Sequence, residues 1–277
     1  MQAFRRQLAG DIPAGSQGLD KAAVLACSAD LHKLDGEMSL QRAKVMGGIL
    51  HDLNAEQRAY LDQLKGIGMA TWPNVPEPID RRTLPHDAHV AVMTYAGDMF
   101  SWYMGDIEAD VYSCPERQGT YFGGFYLKGA PAMGSPNYTI SDRLTGDVGA
   151  TMVSKLSRTQ AQCIRSLLPA QLPVLQEIVT TRRAIATQLR RYIAGETPDQ
   201  AEVLALSRKY GQLDGEIIYG DAMAFAQVGR SLSAQQQADF AAMRQQMGVG
   251  VPQGAFLYST PIQMPSIPST DFPFRVR

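Results

Sequence analysis

Two histidines near the middle of the chain have a spacing that suits metal binding. His86 and His89 are three residues apart and follow Pro85, so they would lie on one face of a helix that begins there. Imidazole is a good ligand for zinc, copper or nickel. Two histidines at the start of a helix also occur as ordinary solvated residues. The pair therefore predicts either a transition-metal site or a polar helix end.

The tetrapeptide Leu-Asp-Gly-Glu occurs twice, at 34–37 and at 213–216, and is the second candidate for chemistry. His32 lies three residues before Asp35 and could join it on one helix face, since facing helices with such ligands hold metals in helical bundles. The second copy has Gly211 at the position of His32 and adds no second histidine. The alternative, which the sequence favours, is solvated acids beside a glycine that lets two helices approach closely.

Sulfur is the third candidate. Cys27, Cys114 and Cys163 are widely separated and show neither a CxxC nor a zinc spacing. Cys114 falls in a stretch of loop-like composition and is the predicted reactive thiol, which could bind Cu(I) together with nearby methionines. Cys27 and Cys163 fall within helical patterns, where a thiol usually packs as a small apolar side chain. The 13 methionines equally suit an irregular core or an adaptable binding surface.

Composition and motifs exclude several classes of function. The formal net charge is −1, which gives no electrostatic reason to bind nucleic acid. No apolar run approaches the roughly 18 residues of a transmembrane helix, and residues 1–8 do not resemble a signal peptide. The chain has no GxGxxG fingerprint, P-loop or GxSxG elbow. An enzyme is therefore not the leading prediction, although a metalloenzyme that uses the histidine, carboxylate and cysteine ligands stays open.

The elements that would carry these residues form a repeat. Residues 24–65 recur at 203–244 with a constant offset of 179, because 35 + 179 = 214 and 53 + 179 = 232. Apolar residues in both copies fall on helical spacing. They are Leu31, Leu34, Met38, Val45 and Ile49 in the first copy, and Tyr210, Leu213, Ile217, Ala224 and Val228 in the second.

Capping boxes divide the helical patterns. Such boxes are predicted at Asn54 with Gln57, at Ser157 with Gln160, at Ser233 with Gln236 and at Thr197 with Gln200. In the second half they predict helices at about 158–194, 198–230 and 234–247, with a kink near Pro169 and Pro173. Residues 5–11 also resemble 190–196, at an offset of 185. We therefore expect the chain to begin partway into its first repeat, with a further helix before Met1 in the natural protein.

The predicted fold class is mostly all-α. We expect two helical-hairpin units, an incomplete one at 1–68 and a complete one at 146–248. Between them, residues 69–145 form an irregular insert rich in glycine and aromatic residues, with one helix. Residues 249–277 form an extended, proline-rich tail.

The three boxes that follow a leucine, at 53–57, 156–160 and 232–236, resemble the LTxxQ motif of the Spy/CpxP-type periplasmic proteins. Serine or asparagine stands here in place of the threonine of the motif, with equivalent capping chemistry. The resemblance covers about half to two-thirds of the chain. It implies helical hairpins, a periplasmic or envelope location, and a role in holding unfolded clients or binding metal.

The leading functional prediction is a non-enzymatic, chaperone-like envelope protein that binds protein partners, unfolded clients or itself, with binding of a metal such as Cu, Zn or Ni as an additional prediction. The first alternative is a metal-binding protein or metalloenzyme with His86, His89, His32, Asp35 and Cys114 as candidate ligands. The second alternative is a structural subunit of a larger assembly.

Overall fold

The structure is a computed structural model that describes residues 2–64, 81–104, 151–246, 255–257, 260–262 and 269–276. Within these residues the protein is predominantly α-helical, which confirms the predicted fold class. Cys114, the aromatic run at 121–128, the predicted end of the last helix at 247–248 and most of the predicted tail lie outside the described residues.

Eight α-helices are described. They are α1 (Gln2–Ala9), α2 (Lys21–Asp52), α3 (Ala55–Leu64), α4 (His86–Met104), α5 (Arg158–Arg165), α6 (Leu167–Leu189), α7 (Gln200–Arg230) and α8 (Ala234–Gln246). A 3-10 turn at Arg190–Ala194 extends α6 as far as Gly195. Four short strands, β1 (Ser16–Leu19), β2 (Ala255–Leu257), β3 (Thr260–Ile262) and β4 (Phe274–Val276), form the antiparallel pairs β1–β4 and β2–β3.

The two long helices α2 and α7 begin at equivalent aspartates. Asp20 accepts a hydrogen bond from the amide of Ala23 at 2.9 Å, and Asp199 accepts one from the amide of Glu202 at 3.0 Å. Asp20 and Asp199 are 179 residues apart, so the repeat extends upstream of residue 24. The predicted cap at Thr197 is wrong. Asp199, two residues later, caps the helix instead, because aspartate ranks above threonine at the N-cap and a carboxylate is favoured near the positive end of the helix dipole.

The other three capping boxes are confirmed. Asn54 and Gln57 exchange side-chain to backbone hydrogen bonds, and so do Ser157 with Gln160 and Ser233 with Gln236. Residues of the last two boxes also form hydrogen bonds with each other and with nearby backbone carbonyls. Gln236 donates to Gln160 Oε1 at 2.8 Å and to the carbonyl of Lys155 at 2.9 Å, while Gln160 donates to the carbonyl of Ser231 at 2.9 Å. The glutamines of the two boxes thereby join the starts of α5 and α8.

The predicted helix at 158–194 is interrupted at Ser166. Its amide bonds to the carbonyl of Gln162 at 2.9 Å and ends α5, and α6 starts at the next residue. Pro169 is the third residue of α6, where no intrahelical amide bond is needed. Pro173 lies inside α6, which continues through it. The break therefore precedes both prolines. It places Pro169 in the first turn of α6, where the missing N–H of proline costs no intrahelical hydrogen bond.

The core forms where α2 and α7 cross in antiparallel orientation, with α6 packed against α7. Buried side chains from α2, α6 and α7 make up one apolar cluster, so the described parts of the two predicted units share a core. Its members include Leu40, Met46, Leu50, Leu175, Ile178, Ile185, Leu189, Val203 and Ile217. A smaller cluster joins α1, β1 and β4 to the start of α2 and to α7 through Ala3, Leu19, Phe274, Val24 and Ala222.

Glycines permit the close approach of α2 and α7, as the sequence predicts. A Cβ atom on Gly36 would lie 2.8 Å from the Cβ of Ser207, and one on Gly215 would lie 3.0 Å from the Cβ of Ser28. Ser28 and Ser207 are again 179 residues apart. Each glycine therefore contacts a serine on the other helix, and the two serines occupy equivalent positions of the repeat.

The turns after α1 and after α6 match in the same way. Gly10 and Gly195 both have a φ of 76°, and in both turns the following acid donates its amide to an arginine carbonyl at 2.9 Å. The side chains of Arg6 and Asp11 form an ion pair, as do those of Arg191 and Glu196. These matching contacts support the predicted repeat. That a pseudo-twofold axis relates the two halves and that they arose by duplication stay hypotheses.

Candidate functional site

A buried polar cluster lies at the crossing of α2 and α7. His32 is 3% exposed, and its Nδ1 lies 3.0 Å from the carbonyl oxygen of Ser28, to which it donates. Its Nε2 lies 3.6 Å from a carboxylate oxygen of Asp214, which is also buried. The edge of the imidazole meets the ring of Tyr210 at 4.6 Å between centroids. The guanidinium of Arg182, from α6, lies over the same ring, 5.7 Å from its centroid.

A second buried polar pair joins α6 to α7. Gln171 Nε2 donates to Asp221 Oδ1 at 2.8 Å and to the carbonyl of Ile217 at 3.2 Å. The pKa of Asp221 is raised to about 7, chiefly because the carboxyl is buried; the hydrogen bond from Gln171 opposes the rise, and the charge of nearby Asp214 adds to it. Asp221 Oδ2 and Gln171 Oε1 are both buried with no hydrogen-bond partner among the described residues. A proton on Asp221 Oδ2, donated to Gln171 Oε1, would satisfy both oxygens at once.

The LDGE acids divide into two environments. Asp35 and Asp214 are buried, so the prediction that these acids are solvated is wrong for the aspartates. Glu37 and Glu216 are partly exposed and form ion pairs with Lys33 and with Lys21. Aspartate and glutamate are two positions apart and therefore point to different sides of the helix, which explains the division.

The predicted metal ligands do not assemble in the described residues. His86 is exposed in the first turn of α4, His89 is half-buried one turn later, and His32 and Asp35 are on α2. Among the residues that the structure describes, no three or more His, Cys, Asp or Glu side chains are grouped to hold a metal ion. Cys114 lies outside them. Metal binding stays a prediction.

An exposed row of large apolar side chains runs along α2, on the side away from α7. We call it the α2 stripe. It consists of Leu31 (46% exposed), Leu34 (55%), Met38 (46%), Val45 (63%) and Ile49 (46%). These residues are the periodic apolar positions of the first repeat. An apolar stripe on a helix normally faces the core, whereas on α2 a different set of residues does so, in which apolar side chains such as Leu40 and Leu50 alternate with small and polar ones.

The same positions on α7 are covered. Tyr210, Ile217, Ala224 and Val228, which are 179 residues after Leu31, Met38, Val45 and Ile49, are all buried, and Leu213 is half-buried. The helix that packs on this side of α7 is α6. The exposed α2 stripe is therefore the counterpart of a surface that an amphipathic helix already occupies in the other half of the molecule.

No family model, curated protein or solved structure matches this chain. None of the described helices has the length and apolarity needed to cross a membrane. The function must therefore be inferred from the α2 stripe and the buried polar pairs themselves.

Sequence reasoning missed Asp221, Gln171 and Arg182. Asp221 is 50 residues from Gln171, and no short motif links them. One signal was present. Asp221 lies between apolar positions of the α7 pattern, on the side that carries Ile217 and Ala224, where a carboxyl group can be buried only if it is neutral or paired. Cys27, expected to pack as a core side chain, is exposed, and slight burial together with nearby Asp30 raises the pKa of its thiol.

Proposed function

We propose that this protein is a non-catalytic, chaperone-like protein that binds other polypeptides through the α2 stripe. The observation that carries the proposal is the alignment of five large, half-exposed apolar side chains on one face of a single rigid helix. Contiguous exposed apolar surface on a soluble domain commonly marks a site of protein interaction. The location in the envelope that the Spy/CpxP resemblance implies belongs to the same proposal.

The surroundings of the α2 stripe favour binding over local flexibility. The opposite face of α2 is held against α7 by the glycine contacts and by buried residues such as Leu40, Ala43 and Leu50. The stripe is therefore presented on a helix of 32 residues whose position is set by the core. A preorganised surface loses less conformational entropy on binding than a flexible one. Met38 adds a side chain that adapts to different apolar partners.

An aggregation assay tests the proposal. A chemically unfolded, reduced model protein is diluted into buffer with the full chain, and light scattering is followed. We expect the native chain to suppress scattering and the double variant Leu34→Asp/Val45→Asp to lose most of that effect, because two buried contacts with the client would acquire charges.

The matched control carries two aspartates at sites of equal exposure away from the α2 stripe. Met93 (57%) and Phe272 (63%) correspond in exposure to Leu34 (55%) and Val45 (63%). The control variant Met93→Asp/Phe272→Asp should suppress scattering like the native chain. Equal suppression by the stripe variant, or none by the native chain, would contradict the proposed function.

A further inference from the structure

The way in which α6 covers α7 defines a docking geometry. The two helices are antiparallel, since Gln171 near the start of α6 bonds to Asp221 near the end of α7, and Gln188 near the end of α6 bonds to Glu202 near the start of α7. Apolar residues of α6 such as Ile178 and Ile185 fill the interface. At its edge, Lys209 of α7 forms an ion pair with Glu177 of α6.

The geometry transfers to α2 because the two long helices are equivalent. The caps Asp20 and Asp199 are at matching positions, and the contacts of Gly36 and Gly215 are reciprocal. Four of the five positions of the α2 stripe coincide with α7 positions, Tyr210, Leu213, Ile217 and Ala224, that belong to or pack against the apolar cluster that α6 joins. A helix placed on α2 as α6 is placed on α7 would therefore lie along the stripe.

The charges at the edge of the stripe differ from those on α7. The counterpart of Lys209 is Asp30, because 30 + 179 = 209. Asp30 is exposed and forms an ion pair with Arg208 of α7. An acid at the position that suits Lys209 would lie close to Asp30 and be disfavoured there, whereas a cation would be favoured and could share Asp30 with Arg208. The incoming helix must therefore share the apolar pattern of α6 and reverse the charge at one edge position.

We propose that the α2 stripe binds an amphipathic helix of a partner protein. This helix runs antiparallel to α2, is about as long as α6, which has 23 residues, and carries a lysine or arginine opposite Asp30. The inference rests on the proposed function and names the class of polypeptide that the stripe prefers. It predicts that a preformed helical pattern is recognised more strongly than an extended unfolded segment.

The α6 sequence itself supplies the probe. A labelled synthetic peptide of residues 158–194 is titrated with the full chain, and fluorescence anisotropy reports binding. The same peptide with Glu177→Lys should bind about two- to five-fold more tightly, which is the range expected for one exposed ion pair. With the Asp30→Lys variant of the full chain the order of the two peptides should reverse. Binding of both should be lost in Leu34→Asp and kept in Phe272→Asp.

Each other result overturns the inference. No binding of either peptide to the native chain, or equal binding to the Leu34→Asp variant, would exclude a helix on the α2 stripe. A concentration-dependent dimer that disappears in Leu34→Asp would assign the stripe to a second copy. A melting temperature several degrees lower in Leu34→Asp would show that other residues of this chain cover it.

The two proposals can fail separately. If neither peptide binds but suppression of aggregation still depends on Leu34 and Val45, the stripe holds extended segments, so that the proposed function stands and the helix inference falls. If suppression does not depend on the stripe while the Glu177→Lys peptide binds as described, the protein is a helix-binding adaptor rather than a chaperone-like protein.

Discussion

Asp221 illustrates how burial changes the chemistry of a single carboxyl group. Its side chain has no exposed surface, and its pKa is raised to about 7 because burial disfavours the charged form. The unpaired oxygens of Asp221 and Gln171 support a neutral carboxyl that both accepts from the amide and donates to it. The pair then resembles two amides in mutual hydrogen bonding, which a buried interface tolerates better than an ion.

This state predicts a specific pH dependence of stability. The folded protein binds the Asp221 proton more tightly than the unfolded chain, whose carboxyl has a pKa of about 4. The contribution of Asp221 to the free energy of unfolding is therefore highest below pH 4, falls as the pH rises to about 7, and is constant above that pH. Between pH 5 and pH 8 the loss should be on the order of 2–3 kcal/mol in urea unfolding. Asp221→Asn, which mimics the protonated group, should remove that part of the pH dependence.

The control for this measurement is Asp239→Asn. Asp239 lies on α8 and pairs with Lys155 at 3.8 Å, partly exposed, so its replacement should leave the slope between pH 5 and pH 8 unchanged. A native slope that persists in Asp221→Asn would mean that the Asp221 carboxyl is ionised in the folded protein at neutral pH.

At the scale of the elements, the crossing of α2 and α7 depends on residues without side chains. Gly211 faces the carbonyl oxygen of Ser28, and a Cβ atom there would lie 2.7 Å from the Cα of Ala29. Both are backbone atoms, so only a shift of the whole helix could make room. Gly48, on α2, has open space around its Cα.

The two glycines therefore predict opposite effects of the same substitution. Gly211→Ala should destabilise the protein by about 1–3 kcal/mol through overpacking. Gly48→Ala should be neutral or stabilise it by up to about 1 kcal/mol, because alanine has the higher helix propensity. Denaturant unfolding of both variants measures the difference. Equal effects would mean that α2 and α7 are farther apart than described.

The helix ends show which features of an element its own sequence sets. Three capping boxes were predicted correctly because each depends on residues only three positions apart, such as Ser157 and Gln160. The cap of α7 was misplaced at Thr197 because Thr197 and Asp199 offer competing capping oxygens. The two residues are near neighbours in the sequence, but the spacing of a capping box alone does not show which of them caps the helix, and in the structure it is Asp199. The hydrogen bonds between Gln160 and Gln236 join segments that are 76 residues apart, so no pattern of neighbouring residues predicts them.

At the scale of the whole molecule, the two halves differ in which face of the long helix is buried. Met38 and Ile217 occupy equivalent repeat positions, yet Met38 is 46% exposed and Ile217 is 4% exposed. The difference arises because α6 packs on α7, while the described helices leave the equivalent side of α2 half open.

This asymmetry predicts that one substitution has very different effects in the two halves. Met38→Lys should change the free energy of unfolding by no more than about 0.5 kcal/mol, as expected for an exposed site. Ile217→Lys should cost more than about 3 kcal/mol, because an unpaired ammonium group would be buried beside α6. Thermal or denaturant unfolding of the two variants is the measurement. Comparable losses would show that the α2 stripe is covered in the folded protein.

The sequence by itself determined the helical class, the positions of most helix ends and the glycines of the α2–α7 contact. These follow from hydrophobic spacing and from hydrogen bonds between residues a few positions apart. Only the tertiary structure decided that Asp221 meets Gln171, that His32 lies beside Asp214, and that the apolar stripe is buried on α7 but exposed on α2. Periodicity shows that a helix has an apolar face. Whether that face is buried depends on which other helix the chain brings to it, and here α6 reaches α7.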